Sequence, residues 1–256
     1  VPGIASAAMR ARHDPGVVLW VVAGVCWVAA VSLVVTSPDG AGHHGVASAG
    51  SAPPWRLGAS LAVWLVMIGA MMLPTVVPMV RMFDVVTARA PRPAPARASF
   101  LAGYLAIWTA FAGVALLGDA AVDALVAGWA WLAARPGLIL GVALVVAGAF
   151  QFSPLKNACL TACRNPVGFL WQHYRRGAAG AWRLGLRHGM SCLGCCWALM
   201  LVMVATGVGS LVWMTGLTAV MVIEKTARRG ARLVVPVGGA LLAAGVSLAL
   251  SALLSS

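Results

Sequence analysis

Between Arg187 and Met200 the chain reads RHGMSCLGCCWALM, placing one histidine and three cysteines where an apolar run begins. On a helix that turns about 100° per residue, with His188 at zero, Cys192 falls near 40°, Cys195 near −20° and Cys196 near 80°, an arc of roughly 100°. Met203 continues the same stripe and Met190 points the other way. A second pair, Cys159 and Cys163 in LKNACLTACRNP, stands four residues apart. If that segment is a short interfacial helix, both thiols share a face, and the two dithiol units can converge on one ion. Thiolate and imidazole are the ligands of soft and borderline metals, Cu(I) and Zn(II) above all.

A lone cysteine is adequately explained as a small apolar filler, and that explanation suits Cys26, isolated in an apolar segment. It suits the other five less well, because they fall in two tight groups, one of which bears a histidine. Upstream, MIGAMMLPTVVPMVRMF sets Met67, Met71, Pro74, Pro78 and Met82 on one side of a helix. Met71, Met72 and Met79 are candidate thioether ligands, although methionine is also common core filler. Thioethers favour Cu(I) over Zn(II), so copper is the expected metal and zinc the alternative. Each proline deprives a preceding carbonyl of its donor, here those of Ala70 and Pro74, and predicts a kink.

Long apolar helices must position these residues. The 256 residues are 61% hydrophobic and 9% charged, whereas a soluble domain is nearer half apolar and about a quarter charged. Seven apolar segments, near 17–35, 57–80, 100–118, 137–152, 189–206, 208–223 and 233–254, approach the ~20 residues that cross a bilayer core. The fold class expected is all-α, a polytopic transmembrane helix bundle forming a single domain in the cell membrane. With the N-terminus cytoplasmic, all of the 18 Lys and Arg residues except Arg56 and Arg135 fall on the inner side, as the positive-inside rule requires. The five clustered cysteines then lie at the cytoplasmic face, where thiols stay reduced. The first segment is expected to be retained, although ASAGSA after it resembles a cleavage site. RAPRPAPARA, residues 89–98, reads as an extended linker. Gly137, Gly141 and Gly148 form a small-residue stripe suited to close helix contact.

The net charge of +12 is spread between spans and fits anionic lipid rather than nucleic acid. Asp119 and Asp123 form a carboxylate pair one turn apart, His43 and His44 could capture metal weakly, and Glu224 is expected to pair with Arg228. No zinc-protease helix, nucleophile elbow, phosphate loop or dinucleotide fingerprint occurs, so the chain does not read as an enzyme on its own.

Three stretches, MMLPTVVPM, SPLKNACLTACRNPVGFLW and GLRHGMSCLGCCWALM, in this order between Leu57 and Lys225, resemble domain-of-unknown-function family 2182, described as predicted metal-binding integral membrane proteins. The resemblance implies a multi-pass helical fold and a metal site on Cys159, Cys163, His188, Cys192, Cys195 and Cys196, with the Met-Pro motif as a further partner. The outer loop with His43 and His44 lies outside that pattern. Three functions fit the sequence: a membrane protein that binds a soft metal, chiefly Cu(I), at its cytoplasmic face for delivery or transport; an accessory or assembly subunit of a larger membrane metalloenzyme, with other membrane subunits as partners; and a membrane dithiol redox protein.

Overall fold

Apolar runs punctuated by proline fold into helices throughout residues 15–36, 54–206 and 210–254, which the computed structural model describes. In chain order these are α1 (Pro15–Thr36), α2 (Pro54–Thr87), α3 (Pro93–Gly128), the single turn α4 (Ala130–Ala133), α5 (Pro136–Gln151), α6 (Pro154–Arg164), α7 (Pro166–His173), α8 (Ala178–Thr206) and α9 (Leu211–Thr226); a 3-10 turn at Gly230–Leu233 then leads into α10 (Val234–Leu254). The all-α class read from the sequence stands, with no strand among the described residues. His43, His44, Arg10 and Arg12 lie outside them.

Proline occupies the first turn of α3, α5, α6 and α7. There its fixed φ suits the helix and its missing N–H would have had no partner. Ser153 and Asn165 cap α6 and α7, accepting from the amides of Leu155 at 3.2 Å and Gly168 at 2.9 Å. Proline also corrects the linker expected at residues 89–98: α3 starts at Pro93, and only residues 88–92 form the turn.

Among the described residues five helices are long and apolar enough to cross a membrane, and α5 with α6, bent by 67° between them, make a sixth if counted as one broken span. The segment expected at 208–223 forms α9, whose 16 residues are short of the ~20 a full span uses. Helix α2 continues through Pro74 and Pro78. The Ala70 carbonyl that Pro74 deprives of its helical donor accepts the Trp27 indole N–H at 3.1 Å, which ties α1 to α2. Cys26 lies at the same contact, close enough to Gly69 that an added Cβ would meet its sulfur at 2.8 Å.

Helix α1 pairs with α2, α3 with α8, and α5 with α10, while α8 also touches α5, α6 and α9. The glycine stripe makes the α5–α10 contact. A Cβ on Gly148 would meet the Leu242 nitrogen at 2.7 Å and the Gly238 oxygen at 2.9 Å, so backbone lies against backbone there. Small residues allow this approach where lipid offers no hydrophobic drive between helices.

The charged groups of α6 and α9 meet inside. The Lys156 ammonium donates to the Glu224 carboxylate at 2.7 Å, with both side chains at most 2% exposed. It also donates to the Cys195 carbonyl at 3.2 Å, and the Gln151 amide reaches Glu224 at 3.3 Å. Glu224 therefore does not pair with Arg228, as the sequence suggested. Its side chain faces inward, whereas Arg228 is exposed beyond the end of α9. The Arg164 guanidinium closes that end, donating to the carbonyls of Glu224, of Ala227 at 2.9 Å and of Arg228 at 3.1 Å.

Two stability outcomes follow from these contacts. Gly148→Leu, forced against backbone that cannot give way, should destabilise the protein by about 1–3 kcal/mol, read as a lower melting temperature in detergent; Gly239→Leu, which meets nothing within 4 Å, should not. Lys156→Met leaves Glu224 buried without its cation and should cost about 3–5 kcal/mol. The double change Lys156→Met with Glu224→Gln should recover most of that loss, and equal melting of the single and double variants would refute the pairing.

Candidate metal centre

Helix α8 carries His188, Cys192, Cys195 and Cys196 on one face, and all four are buried, at 1–3% exposure. Met190, on the opposite side, is 56% exposed. The arc read from the spacing is therefore the inward face of α8. Gly185 and Gly189 make room for α3: a Cβ on Gly189 would meet Ile107 at 3.0 Å and the Tyr104 carbonyl at 3.2 Å. This proximity brings the Tyr104 hydroxyl to 3.2 Å from the Cys192 sulfur.

Cys192 is the hub of the contacts. The Lys225 ammonium donates to its sulfur at 3.0 Å and reaches the Cys196 sulfur at 3.8 Å. Its own backbone carbonyl accepts the Cys195 and Cys196 thiols at 3.0 and 2.9 Å. From α6, Cys163 faces the thiols of Cys192 and Cys195 closely enough to interact with both electrostatically. Cys159, one turn earlier, is half-buried and sits against α8, where a Cβ on Gly194 would meet its sulfur at 2.6 Å. All six cysteines are free thiols.

Helix α2 contributes mainly through its backbone. The Met72 carbonyl accepts from Thr75 at 2.8 Å and from the Tyr104 hydroxyl at 3.4 Å, and the Thr75 hydroxyl lies 3.9 Å from the Cys192 sulfur. Met71, Met72 and Met79 are all buried. Of the three, Met72 is tied to the neighbours of Cys192 by its carbonyl rather than by its thioether. His188 is enclosed by the rings of Phe169, Tyr104 and Phe100, with centroids at 5.4, 5.9 and 6.1 Å. Its Nδ1 is buried and has no hydrogen-bond partner. A buried imidazole nitrogen without a partner is costly, and such a nitrogen is also what a metal ligand presents.

Among the described residues no three His, Cys, Asp or Glu side chains stand as a ready-made cage for a metal ion. The thiols of Cys195 and Cys196 are turned onto the Cys192 carbonyl, so ligation would require them to swing from that oxygen toward the Cys192 and Cys163 sulfurs. The donor set nevertheless suits a soft monocation: several sulfurs and an imidazole in an apolar surround. Asp119 and Asp123 lie on α3, a helix that meets the thiols through Tyr104.

Sequence reasoning did not select Lys225, Tyr104, Thr75, Lys156 or Gln151. Lys225 and Lys156 were read as charges at the ends of spans. Their signal was nonetheless present, since an ionisable residue joined to an apolar span marks a functional site by default. Tyr104 and Thr75 gave no signal of their own, because only the α2–α3–α8 packing brings them to Cys192.

No curated protein and no solved structure matches the chain. A family model described as "PpoB2: Copper chaperone" matches residues 61–248, which take in the described residues from α2 well into α10 and every cysteine but Cys26. This family carries a different label from the one the motifs resemble, and it is copper-related, as the thiol and thioether chemistry led one to expect. With most of its length matched, the chain belongs to the PpoB2 copper chaperone family.

Proposed function

We propose that the protein is a membrane-embedded copper carrier, which holds Cu(I) on the thiols of Cys163, Cys192, Cys195 and Cys196, with Cys159 and His188 as supporting ligands, and hands the ion to a partner. The observation that carries this reading is the Cys192 sulfur, which lies 3.0 Å from the Lys225 ammonium and 3.2 Å from the Tyr104 hydroxyl, with Cys163 facing it from another helix. Cu(I) held by two thiolates bears one net negative charge, which is costly inside an apolar bundle unless compensated. The buried Lys225 ammonium supplies that compensation. The neighbouring Lys156–Glu224 pair is neutral by itself and leaves the charge of Lys225 for the sulfurs.

The positive-inside pattern argues for a cytoplasmic site. Delivery fits better than translocation, since the clustered cysteines gather on α6 and on two turns at the middle of α8 instead of following a path across the bundle. The buried methionines Met71, Met72 and Met79 give the surround a soft character suited to copper over zinc. Any of their thioethers that swings toward Cys192 would add a neutral ligand.

Protein purified in detergent without added metal, then loaded anaerobically with Cu(I), should hold near-stoichiometric copper by elemental mass spectrometry. Both Cys159→Ser/Cys163→Ser and Cys192→Ser/Cys195→Ser should lose it. A wild type that binds no copper after loading refutes the carrier reading and directs attention to dithiol chemistry. Lys225→Met should weaken Cu(I) binding roughly 10–100-fold, the scale on which supporting groups tune metal sites, as read by competition with bicinchoninate. The exposed Arg228→Met should match wild type, and equal affinities for all three proteins would remove Lys225 from the account.

A further inference from the structure

The thiols of Cys192, Cys195 and Cys196 are about 1% exposed, so an ion that they hold needs a way in and out. A cavity of about 570 Å³ opens between α6, α7 and α8. Its lining includes Ala158 and Ala162, the residues next to Cys159 and Cys163, and Ser191, next to Cys192. Two side chains on its lining, His173 and Met190, are of metal-binding type.

His173 is set to bind. Its Nδ1 lies 3.0 Å from the Phe169 carbonyl. A carbonyl can only accept, so Nδ1 carries the proton and Nε2 is the nitrogen left to bind a metal, the arrangement common to metal-ligating histidines. Phe169 also lies against the His173 ring, tilted by 36° with centroids 4.7 Å apart, and meets the His188 ring edge-on at 5.4 Å. It therefore stands between an outer histidine at the cavity and an inner one at the thiols. Met190 faces away from the buried arc and is 56% exposed, which gives its thioether access from the cavity. The cavity carries one cation on its lining, Arg187, whereas a further cavity of about 730 Å³ is lined by four, Arg89, Arg92, Arg175 and Arg176, which would repel a monovalent copper ion more strongly.

We propose that the cavity between α6, α7 and α8 is the port through which Cu(I) reaches and leaves the thiols, with His173 Nε2 and Met190 Sδ as its transient ligands. This rests on the carrier reading above. The step is ligand exchange without change of oxidation state. Bonds from copper to imidazole nitrogen and thioether sulfur break as bonds to cysteine sulfur form, and a thiol that ionises on binding gives its proton to the solvent on which the cavity opens. In this scheme the ion passes first to Cys159, half-buried against Gly194 and next to Ala158 of the lining. Neutral ligands at the port and anionic ones within draw the cation inward, and a competing thiol at the mouth draws it out.

The test is the rate at which copper-loaded, full-length protein in detergent gives up Cu(I) to bathocuproine disulfonate, expressed per bound copper. Copper content of the wild type is read first, and its absence would overturn the carrier reading and the port with it. Given a loaded wild type, His173→Ala and Met190→Leu should each slow the transfer roughly tenfold, and Gly239→Ala on α10 should not. Met190→Leu keeps the volume of an exposed side chain and so decides the matter even if His173→Ala is unstable. Transfer at the wild-type rate in Met190→Leu would overturn the port as described.

Discussion

The buried ion pair between Lys156 and Glu224 is the constraint on which the rest of the arrangement depends. Charges of opposite sign at 2.7 Å, both removed from water, hold only if their remaining hydrogen-bonding capacity is met, and Gln151 and the Cys195 carbonyl meet it. The pair fixes α6 against α9 and, through Cys195, against α8. It thereby sets Cys163 beside the α8 thiols and directs Lys225, the next residue after Glu224, into the sulfurs. Loss of the pair would unfasten three helices where the cysteines meet.

Soft and hard chemistry are layered in this bundle. The sulfurs lie innermost, with a hydroxyl from Tyr104 and an ammonium from Lys225 directly on Cys192. The neutralised carboxylate stands one layer behind. The glycines of α8 set the spacing of the layers, because any side chain at Gly185 or Gly189 would push α3 away and withdraw Tyr104. Aromatic rings close the side toward His188 and leave its Nδ1 without a partner. A site of this kind favours a large polarisable monocation over a hard divalent one, in keeping with the copper-related family.

Much of this was legible in the chain, and what was not has physical reasons. The helical arc of His188, Cys192, Cys195 and Cys196 follows from spacing alone, and the structure buries that arc. The glycine stripe of α5 likewise announced its close contact with α10. Helix number was harder to read, because α9 and α5 are each 16 residues long and α5 bends sharply into α6, so apolar length does not define where one span ends. The partner of Glu224 was misread because a local rule, carboxylate to arginine one turn on, competes with burial. A glutamate turned inward takes the cation that is buried with it, here 68 residues away. Tyr104 and Thr75 depend on tertiary packing that no local pattern encodes, and the methionines showed the opposite difficulty: conspicuous in sequence, they are buried, and Met72 meets Tyr104 and Thr75 beside Cys192 through its backbone carbonyl.

The central claim is that cysteine sulfur from two helices binds one copper ion. X-ray absorption at the copper edge of the Cu(I)-loaded protein tests it most directly, comparing wild type with Cys163→Ser. The account predicts a sulfur-dominated first shell of low coordination number, which loses sulfur when Cys163 is changed while the remaining thiols come from α8 and α6. A first shell made mainly of nitrogen and oxygen, or one indifferent to Cys163, would contradict it.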